Sequence, residues 1–164
     1  MTPGTSRLTI KKSRCSGRKK RSFSPVYDGD RAGLRISRNY QSSTIIQTVY
    51  LYRTLPRIDF DTEIQWSEEH QLLKAAFPLK IHNSHATYEI QFGNLERPTY
   101  RNTSWDAARF EVCGHKWADL SEGNYGVSIL NDCKYGWSAV DSTLCLTLLK
   151  CATYPNPQAD KGSH

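Results

Sequence analysis

Strict alternation from Arg57 to Trp66 constrains the fold more than any other part of this chain. Ile58, Phe60, Thr62, Ile64 and Trp66 interleave with Asp59, Asp61, Glu63 and Gln65. Over that many residues a period of two means a strand with one face buried and the other in water. The acids on it therefore read as a solvated outer face. Thr44–Tyr52 is rich in Ile, Val, Tyr and Thr, which suit a pleated surface. Lys74–Ile81, Ala86–Phe92, Ala108–Cys113, Tyr125–Leu130 and Leu144–Lys150 are further strand candidates, separated by Gly, Asn, Asp, Ser and Pro. Ser67–Lys74 has a capping serine and early acids, but it is short and reads as a turn into the next strand. Seven or eight strands without a sustained helix predict an all-β, antiparallel sandwich.

At 164 residues the chain is long enough for one ordinary domain with a real core. Its net charge of +6 is unevenly placed. Residues 1–21 carry eight basic side chains and no acid, while the rest holds 14 basic against 16 acidic groups. Residues 1–30 are expected to form a disordered basic arm, and the near-neutral body offers no matching basic face, so nucleic acid is not an expected partner. No apolar run approaches the roughly 18 residues a membrane helix needs, and no signal-peptide layout is present. Five cysteines without a C-x-x-C pair argue against a disulfide framework and a zinc ribbon, and fit reduced thiols in the cytoplasm. Cys113 and Cys145 are expected to be buried thiols on strands.

The search for chemistry yields little by motif. His82-x-x-His85 lacks a third ligand and reads as two surface histidines. No nucleophile elbow or Cys–His pairing is present. Glycoside hydrolysis needs paired carboxylates, and nothing pairs Asp106 with Asp132. Two polar-aromatic runs remain. Arg97, Tyr100, Arg101, Asn102, Trp105 and Asp106 make one set, and Asn131, Asp132, Lys134, Tyr135 and Trp137 make another. Flat aromatics beside hydroxyl-binding polar groups suit a sugar surface. A buried polar network fixing loop shape, with Trp105 and Trp117 as core packing, suits the same runs.

Several stretches carry a family likeness: Arg57–Phe60, Leu72–Pro78, Tyr88–Val112, Trp117–Glu122, Tyr125–Val127, Leu130–Gly136, and Tyr154-Pro155 with Ala159-Asp160 and Gly162. In this order and spacing they resemble the C-terminal β domain of glycoside hydrolase family 38 α-mannosidases of the cytosolic and bacterial branch, over residues 31–164. Tyr100 stands where the family usually has histidine, and Trp137 where a smaller or polar residue is common. The resemblance implies a galactose-mutarotase-like β-sandwich, incomplete at both ends, as a fragment of a retaining exo-α-mannosidase. In the full-length enzyme it implies a zinc ion, a nucleophilic aspartate and a second acid, all in an upstream catalytic domain. No metal site and no catalytic residue are then expected in this chain, which alone should be inactive. The implied partners are that catalytic domain and a mannose-containing oligosaccharide, with room for homo-oligomers of the full-length enzyme. Asn131, Asp132, Lys134 and Tyr135 are the first candidates for lining the substrate site, and Arg97, Asn102 and Asp106 the second. A free-standing carbohydrate-binding module is the alternative. A part of a larger enzyme should also expose an apolar patch.

Overall fold

A computed structural model describes residues 7–11, 21–69 and 71–151. The arm residues 1–6 and 12–20, His70, and the tail with Tyr154-Pro155 and His164 lie outside the described residues. Thirteen strands and one short helix make up the described chain: β1 (Arg7–Lys11), β2 (Arg21–Asp28), β3 (Arg31–Tyr40), β4 (Ser43–Tyr52), β5 (Ile58–Gln65), β6 (Leu72–Pro78), β7 (His85–Ile90), β8 (Gly93–Pro98), α1 (Ser104–Ala108), β9 (Val112–Cys113), β10 (Trp117–Glu122), β11 (Tyr125–Leu130), β12 (Gly136–Val140) and β13 (Thr143–Lys150). All pairings are antiparallel. The described residues fall into two compact units, one built on residues 7–11 and 72–150 and the other on 21–69 with 71 and 151.

The first unit is a sandwich. One sheet has the order β1-β6-β13-β12-β9 and the other β11-β10-β7-β8. Leu144 and Leu146 of β13 and Trp137 of β12 meet Ala86 and Tyr88 of β7, Ala118 and Leu120 of β10, and Ile129 of β11 in one apolar core. The alternation that buries these residues leaves their neighbours on the outer faces. On the outer face of the five-stranded sheet a charged group is nevertheless buried: Lys74, 6% exposed, on β6, beside Ser138, 8% exposed, on β12. Its Nζ lies 2.7 Å from Glu111 Oε1 and donates to Ser138 Oγ at 3.2 Å, and Thr147 Oγ1 donates to the same carboxylate.

The second unit is a meander, β2-β3-β4-β5, whose register gives it two unlike faces. Phe23, Pro25 and Tyr27 align with Ile36, Leu34 and Ala32, and onward with Val49, Leu51, Phe60 and Ile58. The opposite face carries Arg35 facing Glu63 at 3.7 Å, and Asp59 held by Arg57 at 2.5 Å and by the Tyr52 hydroxyl at 2.5 Å. The Arg57 hydrogen bond, reinforced by Tyr52, holds the Asp59 carboxyl below the usual range. On the apolar face Phe23, Tyr27, Leu34 and Leu51 remain exposed.

Past β5 the chain is clasped as a turn. Tyr40 stacks on Trp66 with centroids 6.1 Å apart, and Ser43 Oγ donates to Glu68 Oε1 at 2.8 Å. Trp66 Nε1 donates to Cys151 Sγ at 3.1 Å, and that thiol donates to the Glu68 carbonyl at 3.0 Å.

The structure departs from the sequence expectations in four places. Strands β1 and β2 fall within the stretch 1–30 expected to be disordered, and β2 pairs with β3 along its whole length. The strand expected over Ala108–Cys113 shrinks to Val112–Cys113, because Thr103 and Asp106 form a capping box that winds Ser104–Ala108 into α1. Cys113 is exposed, since β9 is a two-residue edge strand, and Cys145 is half-buried. The tryptophans also sort against expectation: Trp105, a candidate for core packing, is 78% exposed and Trp117 only half-buried, while Trp137 of the sugar-contact set is fully buried and cannot stack on a sugar.

Candidate functional site

Both polar-aromatic runs hang from one segment, Cys113–Lys116. Arg97 Nη2 donates to the Cys113 carbonyl at 3.2 Å, and Gly114 N donates to the Tyr135 carbonyl at 3.1 Å. The segment itself is pinned by Glu89, whose carbonyl and carboxylate accept from His115 N at 2.9 Å and Lys116 N at 2.7 Å. Gly114 is required here. A β-carbon would lie 2.8 Å from Trp137 Cδ1 and 3.2 Å from Tyr88 Cβ.

The loop after β11 is held by Asn131. Its Nδ2 donates to the carbonyls of His115 at 3.1 Å and Lys116 at 3.4 Å, and its Oδ1 accepts from Lys134 N at 2.6 Å. Asn131 therefore fixes the loop's shape, as the polar-network reading supposed. The Tyr135 ring meets the His115 ring edge-on at 5.9 Å, and Lys116 Nζ lies 5.9 Å from its centroid. Lys116 also donates to the Asp132 carbonyl. The Asp132 carboxylate is exposed, and a hydrogen bond with the Cys133 thiol lowers its pKa while raising that of the thiol.

The run after β8 encloses a small cleft. Buried Thr99 anchors the run through Oγ1 to the Asn83 carbonyl at 2.7 Å. The cleft is walled by Tyr88, Arg97, Tyr100, Arg101, Asp106 and Arg109, with Val112 and Ser138 also on its lining. It has about 30 Å³ of room, counted by the centres of water-sized spheres. Burial pushes the Tyr88 hydroxyl up to about 12 against the opposing charge of Arg97, so it stays a neutral donor. Asp106 Oδ2 accepts from Thr103 N at 3.1 Å and Thr103 Oγ1 at 2.8 Å, which commits it to the helix cap.

Of the seven predicted site residues, Arg97 and Asp106 share this cleft, Asn102 is exposed beside it, and Asn131, Asp132, Lys134 and Tyr135 form the neighbouring loop. Sequence reading missed Arg109, which it assigned to a strand; the capping pattern Thr103-x-x-Asp106 was the available signal. Among the described residues no three His, Cys, Asp or Glu side chains come together to hold a metal ion. His82 is exposed, and His85 is bonded to Ser84 and edge-on to Tyr100.

An all-β domain with two antiparallel sheets and two polar loops on a common spine is what the geometry defines. The profile of the glycosyl hydrolases family 38 C-terminal domain matches residues 7–158, and the chain belongs to this family. Alpha-mannosidase 2C1 of Homo sapiens is 51% identical over 131 residues, covering 80% of this chain and 12% of the relative. Alpha-mannosidase G of Dictyostelium discoideum is 49% identical over 123 residues, covering 75% of this chain and 11% of that protein. The chain thus spans about a tenth of the length of these curated relatives. Among solved structures, an alpha-mannosidase from Enterococcus faecalis V583 aligns with a TM-score of 0.71 over 81% of this chain and 19% of its own, at 14% identity, a likeness of fold alone.

Proposed function

We propose that the chain works as the C-terminal β domain of a retaining α-mannosidase that releases terminal α-mannosyl residues from oligosaccharides. The carrying observation is the family match over residues 7–158, joined to about half identity with proteins named alpha-mannosidase. In this reading the catalytic carboxylates and a zinc ion belong to an upstream catalytic domain, and no step is routed through metal on this chain. The loop Asn131–Tyr135 offers Asp132, Lys134 and the exposed Tyr135 ring to the substrate, with Asn131 as its clasp. Arg97, Asn102 and Asp106 form the second wall. The exposed apolar face of Phe23, Tyr27, Leu34 and Leu51 supports the presence of further packed polypeptide, because solvent-facing sheets seldom carry such a surface. The four unbridged cysteines among the described residues suit a reducing cytoplasm.

The test is to replace the corresponding domain of the human relative by this chain and follow release of nitrophenol from an aryl α-mannoside. The hybrid is expected to be active and the chain alone inactive. Tyr135→Ala in the hybrid should lower kcat/KM about tenfold or more, as lost orientation does, without lowering its melting temperature. A folded hybrid with no hydrolysis, or activity in the chain alone, counts against the reading.

A further inference from the structure

The cleft beside α1 holds a charge imbalance that a neutral mannoside would not balance. Arg97 and Arg101 are each tied to a carbonyl, of Cys113 at 3.2 Å and of Phe110 at 3.3 Å. Carbonyls fix a guanidinium without neutralising it. Among the described residues no carboxylate pairs with Arg97, Arg101 or Arg109. Asp106, the one acid on the cleft lining, gives Oδ2 to the Thr103 cap and keeps its charge, one carboxylate against three guanidiniums. Arg97 Nε is buried and has no hydrogen-bond partner at all.

These facts point the same way. Three guanidiniums against one carboxylate leave the lining net positive, and like charges around one small space repel one another. An anion in the cleft relieves that repulsion. Guanidinium forks match the paired oxygens of carboxylates and phosphates better than a monatomic ion. The cleft is open to solvent-sized groups, with about 30 Å³ available to the centres of water-sized spheres. The neutral Tyr88 in the wall adds no opposing charge.

We propose that this cleft is a binding site for a small oxyanion, a phosphate ester or a carboxylate, held by Arg97, Arg101 and Arg109. The site shares Arg97 with the proposed substrate wall, but its chemistry is distinct from mannoside hydrolysis. It would operate in the isolated chain, and its failure would leave the family assignment untouched.

The experiment titrates the full chain with inorganic phosphate, phenyl phosphate, acetate or potassium chloride at matched ionic strength. The readouts are the melting temperature and amide NMR shifts over residues 97–113. A saturating oxyanion is expected to raise the melting temperature by about 3 °C beyond chloride and to shift amides around the cleft. Response to the phosphates alone identifies an ester ligand; response to acetate alone identifies an acidic side chain of another polypeptide segment. Arg101 and Arg109 are exposed, so Arg101→Gln with Arg109→Gln should fold normally and weaken binding at least tenfold. Lys150→Gln, away from the cleft lining, should change nothing. An equal response to chloride, an undiminished response in the double variant, or no response to either oxyanion class overturns the proposal.

Discussion

Lys74 Nζ and Glu111 Oε1 sit 2.7 Å apart on a sheet face turned away from the apolar core. Both side chains are largely removed from water, at 8% and 18% exposed. Removing one partner of such a pair leaves the other charge buried without compensation. Glu111→Gln should therefore destabilise the chain by about 2–3 kcal/mol in urea unfolding. Replacing Lys74 and Glu111 together by Met and Leu should recover most of that loss.

The same pair sets an acid limit. Burial raises the Glu111 pKa, and the hydrogen bonds from Lys74 and Thr147 overcome it, leaving the folded value below the ordinary one. A depressed folded pKa gives stability that is fully present above the unfolded value, roughly 4.3, and lost as pH falls through the folded one. The stability gap between the native chain and Glu111→Gln should be constant at neutral pH and close below about pH 4. A gap that widens in acid would contradict this.

Asn131 uses both ends of its amide on backbone groups. Asn131→Ala should cost about 1–2 kcal/mol, the range for unpairing part-buried polar groups. Asn131→Asp should cost more, because it sets a carboxylate oxygen against the carbonyls of His115 and Lys116. Denaturation midpoints of the two variants would rank them.

Gly114 allows Tyr88 and Trp137 to close on the backbone. Gly114→Ala should cost about 1–3 kcal/mol by overpacking. Trp137 Nε1 has no hydrogen-bond partner, so Trp137→Phe gives up no hydrogen bond while freeing space beside residue 114. In the double variant the two costs should sum to less than their separate values.

Phe92 closes the β7–β8 hairpin at φ 58°, with its ring wholly in solvent. A non-glycine residue there carries roughly 1 kcal/mol of strain, and no packing offsets it. Phe92→Asn, which tolerates this conformation, should raise the melting temperature by about 2–4 °C. Phe92→Ala should leave it nearly unchanged.

What could be read in advance follows from where the physics is local. The β5 alternation is visible because each residue's face is decided by its own neighbours. Strand β8, Gly93–Pro98, escaped because it is mostly exposed and carries no apolar rhythm. Trp137 sat in a polar run, yet the chain turns inward at Gly136, and only the cross-strand partner Leu146 reveals its burial. The cleft was half legible: Arg97 and Asp106 stood out by type, while Arg109 joined them only through the turn of α1. The Lys74–Glu111 pair had no local signal, since the sandwich alone brings the two strands' neighbourhoods together.

The meander β2–β5 also has a temporal meaning. Its strands join by sequential hairpins, and β2–β3 and β3–β4 each close over two residues, so every pairing forms between neighbours in sequence. The sandwich instead waits for β6, begun at Leu72, to find β13, which ends at Lys150. Early loop closure is the slow, entropically costly step in such non-local pairing. On a ribosome the meander is ready first, and the unpaired edge of β6 stays open to wrong partners until nearly the whole described chain has emerged.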